Sequence, residues 1–126
     1  QGGFDAWFYQ GVGGINPSPE TPGYKHIILR PEIIKGLSYA TARYQSIHGL
    51  IVSDWKIEGN MFKWNVTIPP NTTATIYIPA GSVNGITESG KAANKAKGVK
   101  FIKMENNKAV FNIESGKYCF VSQEPQ

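Results

Sequence analysis

Residues 50–68, "LIVSDWKIEGNMFKWNVTI", constrain the fold more than any other stretch of this chain. Phe62, Trp64, Val66 and Ile68 alternate with Lys63, Asn65 and Thr67. Side chains with a period of two point to opposite faces of a strand, so one face of this segment is apolar and the other polar. Ile51, Ser53, Trp55 and Ile57 repeat the pattern before it, and Gly59-Asn60 between the two runs is a two-residue hairpin turn. A half-buried hairpin of this kind needs a second apolar layer to cover it.

The rest of the chain supplies that layer. "YKHIILR" (24–30), "LSYATARYQSI" (37–47), "TATIYIPA" (73–80), "VKFIKM" (99–104), "AVFNIE" (109–114) and "KYCFV" (117–121) all read as strands. Pro69-Pro70-Asn71, Asn106-Asn107 and Ser115-Gly116 punctuate them. About eight short strands separated by turn signals predict an all-β, antiparallel β-sandwich, jelly-roll-like, over residues 24–123. At 126 residues the chain fits one domain.

The first 23 residues differ in character. Phe4, Trp7 and Phe8 share one face at helical spacing, and Gly11, Gly13 and Gly14 stop the run. Residues 1–15 are therefore expected to be a short helical stub, too short to be stable alone. Residues 16–23, with Pro17, Pro19 and Pro22, form a stiff extended joint. Gln1 stands where an initiator Met would, and neither a signal peptide nor a bilayer-long apolar run is read in the chain. A fragment cut from a longer chain is expected.

Few residues carry the signature of chemistry. Glycosidic cleavage needs two facing carboxyl groups, about 5–10 Å apart. The nearest same-face pair, Asp54 and Glu58, is separated by four residues, roughly 13 Å along a strand, and faces outward opposite Trp55. His26 and His48 stand apart, without Cys or His at ligand spacing, so no metal site is predicted. His48 and Asp54 lack a G-x-S-x-G nucleophile, and His48 reads as a turn residue. The glycines at 11, 13 and 14 do not make a dinucleotide fingerprint, so no cofactor is called for. No catalytic residue is assigned, and the substrate-binding residues are left open. Cys119, between Tyr118 and Phe120, is expected to be a buried, inert thiol.

Six lysines lie between Lys91 and Lys108 in a chain of net charge +4. Without a nucleic-acid motif or an aromatic platform beyond Phe101, they read as a solvated stretch, and neither nucleic acid nor membrane is expected as a partner. "NVT" at Asn65 and "NTT" at Asn71 match the glycosylation sequon and read as chance. Sugar-binding sandwiches present exposed aromatic rings. Trp55 and Trp64 fall on apolar faces and are expected in the core, which leaves Tyr39, Tyr44 and Tyr77 as candidate surface rings.

"GGFDAWFYQGVGGINPSPETPGYKHIILRP" resembles the junction in bacterial α-L-rhamnosidases, glycoside hydrolase family seventy-eight. The matching residues are Gly13-Gly14-Ile15, Pro19-Glu20, Pro22-Gly23-Tyr24-Lys25 and Arg30-Pro31, followed by Ala40 to Ser46, His48-Gly49, Trp55, "IPPNTTATIYIPAG" and "SGKYCF". The resemblance covers nearly the whole chain and is most specific at the junction. It implies that residues 1–15 are the last piece of an upstream (α/α)6 catalytic barrel and that the remainder is a C-terminal accessory domain. The parent would be an inverting hydrolase of terminal α-L-rhamnose whose carboxylates lie upstream of Gln1, so the present chain is expected to be non-catalytic. The partners implied are that barrel and, more weakly, carbohydrate. The Phe4, Trp7, Phe8 face adds self-association. Two alternatives stay open: a carbohydrate-binding module in its own right, and a protein-interaction sandwich. Only the resemblance bears on compartment, and it favours a periplasmic or secreted parent.

Overall fold

The computed structural model describes residues 25–123. The expected helical stub (1–15) and proline joint (16–23) lie outside the described residues. Within them the chain forms ten strands: β1 (Lys25–Leu29), β2 (Tyr39–Ser46), β3 (Gly49–Glu58), β4 (Met61–Ile68), β5 (Thr72–Pro79), β6 (Thr87–Glu88), β7 (Lys91–Ala92), β8 (Val99–Glu105), β9 (Lys108–Ile113) and β10 (Gly116–Gln123). One 3-10 turn, Ala93–Lys95, is the helical element among the described residues.

The strands form two sheets, ordered β1-β5-β9-β8 and β2-β3-β4-β10-β6-β7. The hairpin read from residues 50–68 is present, with Trp55 paired to Trp64 and Ile57 to Phe62. Phe62, Trp64, Val66 and Ile68 are all buried. Opposite them the four-stranded sheet contributes Ile27, Leu29, Ala74, Ile76, Ile78, Ala109, Phe111 and Ile113, and both sets belong to one core. A chain of rings joins the sheets. Trp55, Phe62, Trp64 and Phe120 follow one another at centroid separations of 5.8, 5.8 and 6.5 Å, and Phe120 reaches Phe111 of the other sheet at 6.3 Å. The placement of Trp55 and Trp64 in the core is as the alternation predicts.

Three features depart from the expectation. The sheets are not wholly antiparallel: β1 runs parallel to β5, with Ile27 opposite Ala74. Residues 30–38 carry the chain from β1 to the other sheet, and β5 returns along β1 in the same direction only after that sheet's first three strands. There are ten strands rather than about eight, because residues 87–92 of the expected loop make a small hairpin that β10 pairs through β6. Cys119 is exposed, not buried. Tyr118 and Phe120 point into the core, so the residue between them must point out.

One end of the molecule gathers the start of β1, the β2–β3 turn at 47–48, the β4–β5 turn at 69–71 and the β9–β10 turn at 114–115. The Lys25 N–H donates to the Asn71 carbonyl at 3.0 Å. Gly116 lies opposite Ile68, and Ser46 opposite Gly49. Residues 1–24 therefore join the fold at this end.

Candidate functional site

The outer face of the six-stranded sheet carries two cross-strand rows of side chains. Arg43, Val52, Thr67 and Lys117 form one, and Thr41, Asp54, Asn65 and Cys119 the next, each spanning β2, β3, β4 and β10. They follow from strand alternation, since Ala42, Ser53, Val66 and Tyr118 occupy the inward positions between the rows. The whole first row, with Asp54 and Asn65 of the second, lines an open groove of about 760 Å³, closed at one end by Pro69-Pro70 and Ser115-Gly116.

Within it Arg43 Nη2 donates to Asp54 Oδ2 at 2.8 Å. The second carboxylate oxygen, Asp54 Oδ1, is inaccessible to water and accepts no hydrogen bond. Val52 faces outward yet is only 7% exposed, because its row neighbours flank it. The lining thus offers a guanidinium, an ammonium (Lys117), a carboxylate, an amide (Asn65) and a hydroxyl (Thr67) above an apolar floor. This arrangement can accept and donate hydrogen bonds to a polyhydroxylated ligand.

A second, smaller groove of about 400 Å³ lies on the outer face of the other sheet, against His26, Thr73, Lys100, Asn112 and Glu114. His26 Nδ1 lies 2.6 Å from Thr73 Oγ1, and Nε2 lies 2.7 Å from Thr75 Oγ1. The Thr75 hydroxyl donates its proton to Asn112 Oδ1 at 2.7 Å, so it must accept from His26 Nε2–H. Burial holds the imidazole below its ordinary value of 6.5. The unfolded chain then binds more protons than the folded one between the lowered value and 6.5. Stability from this group is complete above about pH 6.5 and is lost as pH falls through the folded value. The midpoint of urea unfolding is expected to drop more steeply between about pH 7.5 and about pH 5 in the native protein than in His26→Gln, which cannot titrate. Parallel pH profiles would overturn this.

The sequence-predicted candidates do not converge. Asp54 is held by Arg43, whereas Glu58 sits at the far end of β3 between Lys56 and Lys63, at 3.0 and 2.8 Å. Hydrogen bonds from those two lysines bring the Glu58 carboxyl down to about 2. His48 lies in the β2–β3 turn, as read, with Nε2 buried and unpartnered. Among the described residues no group of three or more His, Cys, Asp or Glu side chains could hold a metal ion. Trp55 and Trp64 are 2% and 0% exposed and cannot stack on a ligand. Tyr39 and Tyr44 are exposed, but an odd number of residues apart they face opposite sides of β2. Tyr77 is covered by the Arg30 guanidinium, 4.2 Å from its ring centroid. The lysines of the 91–108 stretch are dispersed over β7, the 3-10 turn and the strands that follow, and Lys103 pairs with Glu105 at 2.7 Å.

The sequence profile described as "Bacterial alpha-L-rhamnosidase C-terminal domain" matches residues 14–93. The chain belongs to this family. It is 29% identical to an alpha-L-rhamnosidase of Streptomyces avermitilis and 31% identical to one of Formosa agariphila, over 94% of its own length in both cases. It spans only 11% and 13% of those relatives. The fold superposes on the Streptomyces avermitilis alpha-L-rhamnosidase structure complexed with L-rhamnose, at a TM-score of 0.66, with 27% identity over 79% of this chain and 9% of that one. The Dictyoglumus thermophilum alpha-L-rhamnosidase, at a TM-score of 0.64 and 24% identity, shares the fold. This bacterial rhamnosidase C-terminal domain is therefore a small part of the proteins it resembles, as the junction motif implied.

Proposed function

We propose that this rhamnosidase C-terminal domain is a non-catalytic accessory domain that packs on and stabilises an upstream (α/α)6 barrel, the barrel of a parent enzyme that hydrolyses terminal α-L-rhamnose with inversion. On this reading residues 1–15, with Phe4, Trp7 and Phe8, are the last helix of that barrel, residues 16–23 are the joint, and 24–123 form a jelly-roll-like sandwich. The observation that carries it is the apolar surface at the end where residues 1–24 join the fold. Ile47, in the β2–β3 turn, is 83% exposed, and Tyr44 on the strand leading into that turn is 44% exposed. Large apolar side chains grouped at one end of a small domain mark a contact surface.

The test is production of the parent enzyme with and without this domain, and with Ile47→Glu in place. Loss of soluble, heat-stable barrel on deletion, and a smaller loss with Ile47→Glu, support the reading. A barrel of unchanged stability without the domain overturns it, as does hydrolysis of an aryl α-L-rhamnoside by the present chain alone. Separated from a barrel, the chain is expected to self-associate through Phe4, Trp7 and Phe8.

Carbohydrate binding is a second reading, favoured by the polar groove over an apolar floor on the outer face of the six-stranded sheet. Neither tryptophan among the described residues serves it, since both are buried.

A further inference from the structure

We propose that the groove along β2, β3, β4 and β10 binds an oligosaccharide that bears a carboxylate, such as a uronic acid-containing chain. This rests on the carbohydrate reading above and adds the charge of the ligand and the residues that read it.

Charge points to an anion. Arg43 and Lys117 stand along the groove as cations, and Asp54 is the one carboxylate in its lining apart from any ligand. Asp54 occupies one guanidinium nitrogen, Nη2, while a guanidinium carries five N–H donors. Lys117 keeps three donors on a flexible stem at the other side. A sugar carboxylate placed between them gains charge-assisted hydrogen bonds that a neutral hydroxyl does not.

The uncharged part of the lining points to a sugar. Leu50 and Pro70, both exposed in the lining, offer apolar surface to the C–H face of a pyranose ring, while Asn65 and Thr67 supply donors and acceptors beside it. Asp54 Oδ1 is a carboxylate oxygen with no donor, shielded from water. A buried unsatisfied acceptor is unfavourable until a donor reaches it. Arg43, which holds the other oxygen of that carboxylate, is exposed and so reachable by the same ligand. The lining contains no aromatic ring, so hydrogen bonding and charge, not stacking, carry the affinity. Binding of this kind weakens as salt screens the carboxylate.

The experiment is an amide-resolved NMR titration of the chain with trigalacturonic acid and, separately, with neutral maltotriose, repeated for Lys117→Ala and Asn65→Ala. Both substitutions are at exposed strand positions away from the core. Saturable shifts at residues 52, 54, 65, 67 and 117 with the acidic trimer are expected. Lys117→Ala is expected to weaken them about tenfold, and raised salt should weaken them in the native protein. Equal binding of maltotriose in the same groove overturns the acidic assignment and leaves carbohydrate binding standing. Failure of both sugars to shift those amides overturns both. Binding that Lys117→Ala and Asn65→Ala leave unchanged overturns the assignment of the groove.

Discussion

Trp64→Ala is expected to lower the stability of the domain by about 3–5 kcal/mol, a large part of what a domain this size possesses. Trp64 is fully buried at the centre of the six-stranded sheet, against Phe62 on its own strand and Phe120 on β10. Phe120 in turn stacks on Phe111 of the opposite sheet, so the cavity would open on the contact that joins the two layers. The loss has a polar component as well. Trp64 Nε1 donates to Ser53 Oγ at 2.8 Å, and Ser53 is completely buried. Truncation leaves that hydroxyl without its partner. Trp64→Phe separates the two effects: it keeps a ring, removes the donor and is expected to lose about 1–3 kcal/mol. Urea unfolding followed by circular dichroism measures both. A loss under about 1 kcal/mol for Trp64→Ala would mean that the core does not depend on this ring.

The same residues show how much of the fold was legible beforehand. The β3–β4 hairpin was readable because its alternation, its Gly59-Asn60 turn and its partner strand all lie within a few residues of one another. Asn106-Asn107 was readable for the same local reason: both residues take positive φ, 50° and 60°, as a tight hairpin turn between β8 and β9 requires. The parallel β1–β5 pair was not readable. Lys25 pairs with Thr72 across a long stretch of sequence, and a short apolar run such as "YKHIILR" looks the same beside a parallel or an antiparallel neighbour. The two-residue strands β6 and β7 exist only because β10 offers an edge to β6, which their polar sequence does not announce. Cys119 is exposed although its residue type favours burial, because the inward Tyr118 and Phe120 on either side fix its direction.

The groove was illegible for the same non-local reason. Its two rows draw one residue from each of four strands, and while β2, β3 and β4 follow one another in sequence, β10 reaches β4 from far along the chain. A usable signal was present. Thr41 and Arg43, Asp54, Asn65 and Thr67, and Lys117 are the polar members of alternating strands, and stacking those strands in register brings them to one face. What sequence could not supply was the register. Along β3 the only same-face carboxylate near Asp54 is the distant Glu58, whereas its chemistry runs across strands, to Arg43.

Gly49→Ala is the second substitution expected to do serious damage, about 2–3 kcal/mol, through backbone strain rather than a cavity. Gly49 opens β3 with φ of +133°, a conformation L side chains rarely adopt, and a Cβ built there meets Pro69 Cβ at 3.0 Å. The proline ring cannot rotate away, and it belongs to the turn that closes one end of the groove. The preceding turn is held by Ser46, whose hydroxyl accepts from the His48 N–H at 3.1 Å and donates to the Gly49 carbonyl at 2.7 Å. Moving Gly49 to relieve the contact therefore breaks the bonds that shape residues 46–48. Gly59 provides the comparison. It too has positive φ, +65°, but nothing lies within 4 Å of its would-be Cβ. Gly59→Asn, a residue that tolerates this left-handed region, is expected to change stability by less than about 1 kcal/mol. Thermal melts of the two variants decide the matter. If Gly49→Ala melts with the native protein, the β2–β3 turn yields easily. If it is destabilised well beyond Gly59→Asn, then the turn is rigid and presents Ile47 at a fixed angle to whatever covers this end. The His48-Gly49 pair would then be conserving the geometry of the surface we assign to the barrel contact.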